Sequence, residues 1–281
     1  MTQQRTYPAG VTSWVDVEHQ DLAAAQQFYG GLFGWTFTRA TPPDIPYQYL
    51  IAQLDDQDVA GLSGPADPSG EGPDRPAWNT YVAVEDIEAT ASAVESAGGQ
   101  VLHPPAAAGE GGSNAACADP SGVRFRLWQA DQRLGAQVTN APGSWNFSDL
   151  FAADPEASAR FYEAVFGWQF DDLGFATMIF VPGYGDHLAS TTDPGIHERQ
   201  AEVDVPPGFA DAIGWLNRAD DRPPGWHVSF TVADRDESAA LAESLGGRVL
   251  HREDTDWTRT ALISDPGGAE FTASQFTPPG S

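Results

Sequence analysis

Two residues in the second half of the chain have the types that acid–base chemistry needs. Asp149 lies in the stretch 144–151 and His227 in the stretch 226–232, and both stretches alternate as strands do. A carboxylate beside an imidazole orients the ring and raises its pKa, as a general base requires. A purely structural hydrogen bond between the same side chains explains the residue types equally well. The sequence therefore predicts a candidate catalytic pair and does not decide between a catalytic and a structural role for it.

The elements that must position these residues belong to a pattern that the chain uses twice. Residues 21–35 contain Asp, six residues, Phe-Tyr, three residues and Phe-Gly-Trp, and residues 154–168 repeat this spacing at an offset of 133. The Asp can accept a hydrogen bond from the amides of a first helical turn, and the Gly can end the helix. Each copy therefore predicts one amphipathic helix that is followed by a strand.

A second unit also recurs and predicts the architecture. Strand, helix, Gly-Gly and strand follow one another in residues 78–103 and 226–251, and an Asp-Pro turn comes later in each half. The fold class is therefore α+β, with four βαβββ modules in two pairs. We expect a first domain at 8–130, a linker at 131–142 and a second domain at 143–276. In the second domain we expect a strand at 185–190 and an insertion at 191–225, with a short helix around 209–216.

Composition excludes several function classes. The chain has 281 residues and a net charge of −26, so this acidic protein repels nucleic acid and anionic membranes. All 14 basic residues are Arg, which removes lysine Schiff-base chemistry. Cys117 is the single cysteine, so an internal disulfide and a cysteine-based zinc site are excluded. No apolar run approaches the roughly 20 residues of a membrane span. We expect a soluble cytoplasmic protein, as a monomer or a homodimer.

The repeated helix, the strand–helix–Gly-Gly unit and the Asp-Pro turns resemble the vicinal oxygen chelate superfamily. This group contains glyoxalase I, extradiol dioxygenases, fosfomycin-resistance enzymes and bleomycin-resistance proteins, and the chain looks most like its tandem two-domain bacterial members. The resemblance covers nearly the whole chain. It implies that each pair of modules forms a cup-shaped mixed sheet, in which the strands of Asp149 and His227 are neighbours. It indicates the fold more firmly than the reaction, because one fold hosts many chemistries.

The resemblance also implies a metal site, which the residues of this chain contradict. Family members hold a divalent metal with a His in the first strand, a His in the fifth and a Glu in the last. These positions fall here on Trp14, Asn79 and Arg126, and on Phe147, His227 and Thr272. Trp, Phe and Arg do not ligate metals, and one His is too few. We therefore expect no metal and no cofactor. A displaced site made by Asp149, His227 and either His187 or Glu270 is the alternative.

Strand alternation predicts the side chains that face each cup. The predicted ligand-binding residues share that face: Trp14, Asp16, Glu18, Asn79, Tyr81, Arg126 and Trp128 in the first half, and Phe147, Phe151, Ser229 and Thr272 in the second. Aromatic walls with a few polar groups suit a flat ligand. In the alternative interpretation the rings fill the first cup, and Asp16 pairs with Arg126.

The favoured function is binding of a bulky aromatic small molecule of the secondary-metabolite type, with metal-independent conversion by Asp149 and His227. Such an enzyme would be lyase-, isomerase- or hydroxylase-like. Two alternatives stay open. One is sequestration of the bleomycin-resistance type without turnover. The other is a metal-dependent lyase, isomerase or dioxygenase with a divergent metal site.

Overall fold

The computed structural model describes residues 5–73, 75–174, 176–202, 205–220 and 222–277. The first half of the chain contains, in order, β1 (Thr12–Glu18), α1 (Leu22–Phe33), β2 (Thr36–Arg39), β3 (Tyr47–Leu54), β4 (Gln57–Pro65), β5 (Ala77–Ala83), α2 (Ile87–Ser96), β6 (Gln100–Ala107), β7 (Gly112–Ala118) and β8 (Arg124–Ala130). The second half contains β9 (Trp145–Ala152), α3 (Pro155–Phe166), β10 (Gln169–Asp172), β11 (Thr177–Phe180), α4 (Tyr184–Ser190), α5 (Ile196–Ala201), β12 (Ala212–Arg218), β13 (Gly225–Thr231), α6 (Arg235–Ser244), β14 (Arg248–Asp254), β15 (Thr258–Ser264) and β16 (Glu270–Phe276).

The strands form two eight-stranded mixed sheets, which confirm the predicted α+β class. The strand orders are β2-β3-β4-β1-β5-β8-β7-β6 and β10-β11-β12-β9-β13-β16-β15-β14. In both sheets the first strand of a module runs parallel to the last, as β1 does to β4 and β9 does to β12, and the hairpin strands run antiparallel. This order places the polar face of the first strand beside the strand that ends its module.

The repeated helices begin and end as their sequences predict. Asp21 accepts a hydrogen bond from the Ala24 amide at the start of α1, and Asp154 caps α3 in the same way. Gly34 and Gly167 end the two helices with φ of 74° and 70°, values that a residue without a Cβ adopts at little cost. The capping signals are local, so the sequence carries them completely.

The chain forms two compact units. Unit 1 comprises Met1–Ser13, Thr80–Gly135 and Ser148–Trp226, and unit 2 comprises Trp14–Asn79, Ala136–Phe147 and His227–Ser281. In unit 1, Phe125 of β8 packs edge-on against Phe161 and Tyr162 of α3. In unit 2, Phe33 of α1 packs against Phe230 of β13, with ring centroids 5.0 Å apart. Each fully buried aromatic side chain of this kind contributes about 2–3 kcal/mol of hydrophobic free energy.

Two predictions for the third module were wrong. The strand expected at 185–190 is the helix α4, and the helix expected around 209–216 is one 3-10 turn, Phe209–Asp211, followed by β12. The Asp211 side chain accepts hydrogen bonds from the amides of Gly183 and Gly185, so a distant residue helps to start α4. Strand β12 lies inside the predicted insertion 191–225. The predicted domain bounds stay predictions.

Helix length decides whether a helix can cross a membrane. Within the described part of the chain, every helix is too short or too polar to span a bilayer. The longest helices, α1 and α3, have 12 residues each, well below the roughly 20 residues that a span needs.

Candidate functional site

The carboxylate of Asp16 is fully engaged within unit 2. Asp16 is 1% exposed, and its Oδ2 accepts a hydrogen bond of 3.0 Å from the Tyr49 hydroxyl. The Asn79 amide donates to Oδ1 at 2.8 Å, and Trp14 Nε1 donates to the Tyr49 oxygen at 2.8 Å. A Cβ at Gly61 would collide with the Tyr49 hydroxyl, so only glycine leaves room for this chain of hydrogen bonds. The buried network orders these side chains and satisfies polar groups that are costly to bury without partners.

Three other predicted residues of the first sheet contact one another in unit 1. Tyr81 lies opposite Arg126 in the register of β5 and β8, and the Arg126 guanidinium lies 5.7 Å from the Tyr81 ring centroid. The Tyr81 and Trp128 rings meet edge to face at 6.5 Å, and Trp128 Nε1 donates to the Arg133 carbonyl. Cation–π and edge-to-face contacts favour the interpretation that these side chains fill space. Glu18 ends β1 and is partly exposed. A ligand-binding role for these four residues stays a prediction.

Asp149 of β9 has a different environment, in unit 1. Its side chain is half-buried and lies between the fully buried Ser148 and Leu150 along the strand. Its Oδ1 accepts one hydrogen bond, of 3.2 Å, from the backbone amide of Trp215 on β12. A Cβ at Gly214 would collide with the Ser148 carbonyl, so this glycine permits the close approach of the two strands. The close approach is what brings the Trp215 amide within reach of the carboxyl group.

The electrostatics of Asp149 suit proton transfer. Burial raises the pKa of the Asp149 carboxyl to about 7, although the Trp215 amide and the charge of Arg222 oppose the rise. The Arg222 Cζ lies over the Phe151 ring, 4.1 Å from its centroid, and the Phe209 and Trp215 ring centroids lie 6.2 Å apart. Near neutral pH both protonation states of Asp149 are populated, which is the condition for a group that gives and takes protons.

His227 lies in unit 2 and is 7% exposed. Its Nε2 forms a hydrogen bond of 2.8 Å with the Thr272 hydroxyl, which fixes the ring. Ser229 lies opposite Thr272 in the register of β13 and β16, and Phe147 near the start of β9 is half-buried in the same unit. Asp149 and His227 belong to different compact units. Their action as a pair stays a prediction.

The residues at the expected metal-ligand positions do not fit a metal ion. Trp14 and Arg126 present N–H groups, which have no lone pair for a metal, and Phe147 has no metal-ligating atom. His227 Nε2 is already hydrogen-bonded to the Thr272 hydroxyl. Among the described residues, no group of three or more His, Cys, Asp or Glu side chains has the geometry of a metal site. The displaced site is not supported either. His187 Nε2 bonds to Thr6, and Glu270 pairs with Arg75 at 3.3 Å.

Three residues of these networks escaped the sequence analysis: Tyr49, Trp215 and Arg222. Tyr49 lies in an alternating stretch, so the period of the strand carries a signal for it. Trp215 lies in the stretch 209–216 for which the sequence predicts a helix, and the group that it offers to the carboxyl is a backbone amide, which no side-chain pattern reveals. Arg222 lies in a loop, where residue type alone does not indicate a contact.

Comparisons with known proteins agree with this architecture. Residues 133–274 match the model of a glyoxalase-like domain, and residues 13–127 match that of the Glyoxalase/Bleomycin resistance protein/Dioxygenase superfamily. A putative glyoxylase, CFP32, of Mycobacterium tuberculosis is 33% identical over 99% of both chains. The anthracycline biosynthesis protein DnrV of Streptomyces peucetius is 32% identical, over 96% of this chain and 94% of the relative.

Solved structures show the same fold at low sequence identity. An Mn(II)-bound glyoxalase from Novosphingobium aromaticivorans superposes with a TM-score of 0.59 at 17% identity, covering 95% of this chain and 82% of that one. The 2,3-dioxygenase LapB from Pseudomonas sp. KL28 superposes with a TM-score of 0.57 at 14% identity, covering 99% and 95%. At such identities the likeness extends to the fold alone.

Proposed function

We propose that this chain, which belongs to the Glyoxalase/Bleomycin resistance protein/Dioxygenase superfamily, binds a bulky aromatic small molecule and moves a proton on it with the carboxyl group of Asp149. The observation that carries the proposal is the state of this carboxyl. It is half-buried, one backbone amide holds it, and its pKa is raised to about 7. A carboxyl that burial keeps near neutrality has the pKa that general acid–base catalysis favours.

The surroundings of Asp149 support an aromatic ligand. Phe151, Phe209 and Trp215 supply three rings in the same unit, and Arg222 and Asp149 supply the polar groups. Ligand sites in proteins combine apolar walls with a few polar groups that fix orientation. One relative is named for anthracycline biosynthesis, which is consistent with a secondary metabolite that contains fused aromatic rings.

The reaction that fits these residues is proton transfer at a carbon next to a carbonyl group. The Asp149 carboxylate takes the proton, the C–H electron pair forms a C=C bond while the carbonyl π electrons move onto oxygen to give an enolate, and the proton returns at the same or another carbon. A proton-transfer role for His227, which belongs to the other compact unit, stays a separate prediction. This isomerase- or lyase-like step uses only side chains of the chain, in keeping with the poor fit of a metal to the expected ligand positions.

Deuterium incorporation tests the proposal without knowledge of the product. A panel of hydroxylated fused-ring quinones with enolisable side chains is incubated with the protein in D2O and followed by mass spectrometry. The wild type should exchange carbon-bound protons, and kcat/KM should rise with pH through about 7, because the base form must be ionised. Asp149→Asn should abolish exchange and leave the affinity nearly unchanged. Asp171→Asn, at an exposed carboxylate of β10, should behave as the wild type.

Sequestration without turnover is the second candidate function. The Phe151, Phe209 and Trp215 rings of the same unit suit binding whether or not a proton moves. Tight binding without deuterium exchange at any pH between 5 and 9 would establish sequestration and end the catalytic proposal.

A further inference from the structure

We propose that unit 1 contains a further small-molecule site, a cleft at the carboxyl end of β5 that binds an organic ammonium ion through the carboxylate of Glu85. Asp149, Phe151, Trp215 and Arg222 do not line this cleft, so the inference goes beyond the proposed function and does not depend on it. The ligand that the cleft fits is a small amine whose charged nitrogen is attached to one apolar ring.

The cleft has a volume of about 280 Å³. Its nine lining residues come from the segment before β1, the end of β5, the end of β8 and the segment that follows β8, and all of them belong to unit 1. Four of these residues supply large apolar or aromatic side chains: Tyr7, Val84, Trp128 and Leu134. Drug-sized ligands occupy pockets of about 300–1,000 Å³, so this volume suits a molecule with one ring.

Hydrogen bonds and close packing hold the walls of the cleft in place. Trp128 Nε1 donates to the Arg133 carbonyl at 2.9 Å, and the Val84 amide donates to the Trp128 carbonyl at 2.9 Å. A Cβ at Gly135 would lie 2.7 Å from the Tyr7 ring, so only glycine lets the chain pass this close to the ring. A ligand that enters a cleft whose walls are already in place loses less free energy than one that must order them.

Glu85 gives the cleft its charge. It is the one residue of the lining that is charged at neutral pH, because burial raises the pKa of Tyr7 and keeps that hydroxyl neutral. Glu85 is exposed, and among the described residues its carboxylate takes part in no hydrogen bond or ion pair. Arg5 and Arg133 lie outside the lining, and the Arg5 guanidinium donates to the Tyr184 hydroxyl. A cationic group is therefore the charged partner that this lining can bind.

The overall charge of the protein also favours a cationic ligand. With a net charge of −26, the chain attracts cations and repels anions at long range. An ion pair with an exposed carboxylate contributes little on its own in water. The apolar surfaces of the cleft therefore supply most of the affinity, and Glu85 supplies the preference for a charged nitrogen over a neutral group.

A neighbouring cleft decides on which side of Glu85 the charged nitrogen lies. It has a volume of about 350 Å³ and shares Val84 and Glu85 with the first cleft. Asp86 and Ala89 of its lining belong to the start of α2, where the positive end of the helix dipole disfavours a cation. The Asp86 carboxylate is also engaged there, because it accepts a hydrogen bond from the Ala89 amide. No residue of α2 lines the first cleft, so the ammonium group lies in the first cleft.

Two probes of similar shape separate charge from ring binding: benzylamine, which is protonated at neutral pH, and benzyl alcohol. Each is titrated into ¹⁵N-labelled protein, and the indole N–H resonance of Trp128, identified by its loss in Trp128→Phe, is followed by NMR. The wild type should bind both probes and prefer benzylamine by about fivefold, the ratio expected for one exposed ion pair. Glu85→Gln should remove the preference and keep the affinity for benzyl alcohol. Glu88→Gln is the matched control and should keep the preference, because it removes the same charge from an exposed position that lines neither cleft.

Each other result overturns the inference. An unshifted Trp128 resonance at the solubility limit of both probes would show that the cleft binds neither of them. Equal affinities of the wild type for the two probes would show that Glu85 does not select a charged ligand. A preference that survives in Glu85→Gln, or that falls equally in Glu88→Gln, would assign it to the overall charge of the chain. None of these results bears on Asp149, whose own test is deuterium exchange on a different ligand.

Discussion

Asp16 and Asp149 lie 133 residues apart, which is the offset between the two copies of the repeated helix. Each is the carboxylate at the centre of the first strand of its half of the chain. Asp16 is 1% exposed and accepts hydrogen bonds from Tyr49 and Asn79. Asp149 is half-buried, accepts one backbone hydrogen bond and has a pKa raised to about 7. Equal positions in a repeat therefore carry carboxylates with different hydrogen-bond partners.

The neighbouring strands explain the difference. Asp16 lies opposite Gly61 in the register of β1 and β4, and the missing side chain makes room for the Tyr49 hydroxyl. In the second half, the corresponding place on β12 belongs to Trp215, which precedes the Leu216 that pairs with Leu150. Trp215 offers a backbone amide in place of a side-chain donor. The Asp149 carboxyl therefore has the Trp215 amide as its partner where Asp16 has two side-chain donors.

The largest expected effect comes from removing the engaged carboxylate. Asp16→Ala should lower the free energy of unfolding by about 3 kcal/mol, because it leaves the Tyr49 hydroxyl and the Asn79 amide without their acceptor. Asp149→Ala should not lower it at neutral pH, because the carboxyl that it removes is costly to keep ionised there. Urea unfolding followed by tryptophan fluorescence measures both. Equal losses in the two variants would show that the two carboxylates do not differ in role.

A smaller effect is expected when one donor to Asp16 is removed. Tyr49→Phe keeps the ring and deletes the hydroxyl, so Trp14 Nε1 and one oxygen of Asp16 lose a partner. The free energy of unfolding should fall by about 2 kcal/mol. Tyr47→Phe is the control on the same strand, since Tyr47 is 39% exposed, and it should change stability by less than about 0.5 kcal/mol. An unaffected Tyr49→Phe protein would mean that water replaces the hydroxyl.

The sequence predicted the parts of the fold that depend on local signals. The capping aspartates, the glycines that end helices and the alternation of Asp16 and Asp149 are all readable from neighbouring residues. The third module departs from its counterparts between β11 and β12, so the repeat gave no guide there. The start of α4 depends on Asp211, which lies 26 residues beyond Gly185. A contact of that separation leaves no periodic pattern.

In the candidate site, too, local sequence patterns identify some residues, whereas others depend on long-range contacts. Strand alternation identified Asp16, Asp149 and His227, because the face of a residue depends only on its own strand. Tyr49 and Arg222 reach their partners from another strand or a loop, so their roles depend on register and backbone path. The raised pKa of Asp149 follows from burial, which only the assembled sheet determines.

The pH dependence of stability sharpens the contrast at Asp149. Its folded pKa of about 7 lies above the value of about 3.9 for an unfolded chain. The folded state therefore binds more protons than the unfolded state between about pH 4 and 7, so this carboxyl lowers stability as pH rises through that window. The Asp149→Asn variant has no ionisable group at this position, so it does not lose this stability as pH rises. Its stability relative to the wild type should rise across the window by more than about 1 kcal/mol and level off above about pH 7.

Two controls accompany this titration of stability. Asp171→Asn, at an exposed carboxylate, should follow the wild type at every pH. A difference between Asp149→Asn and the wild type that stays constant from pH 4 to 8 would show that the Asp149 carboxyl titrates normally. In that case Asp149 would differ from Asp16 only in how its side chain packs.

The smallest expected effect on stability comes from replacing His227 by the residue of the first half. Asn79 on β5 corresponds to His227 on β13. His227→Asn removes the ring that bonds to Thr272 at 2.8 Å, and a neutral hydrogen bond contributes only about 1 kcal/mol. Thr272→Val removes the same bond and keeps the imidazole. If His227 transfers protons, His227→Asn should abolish deuterium exchange, whereas Thr272→Val should retain most of it at a similar cost in stability. Equal losses of exchange in both variants would show that the Thr272 bond positions the ring. A His227→Asn protein with full exchange and a lowered melting temperature would assign His227 to structure and leave Asp149 as the sole proton-transfer group of the proposal.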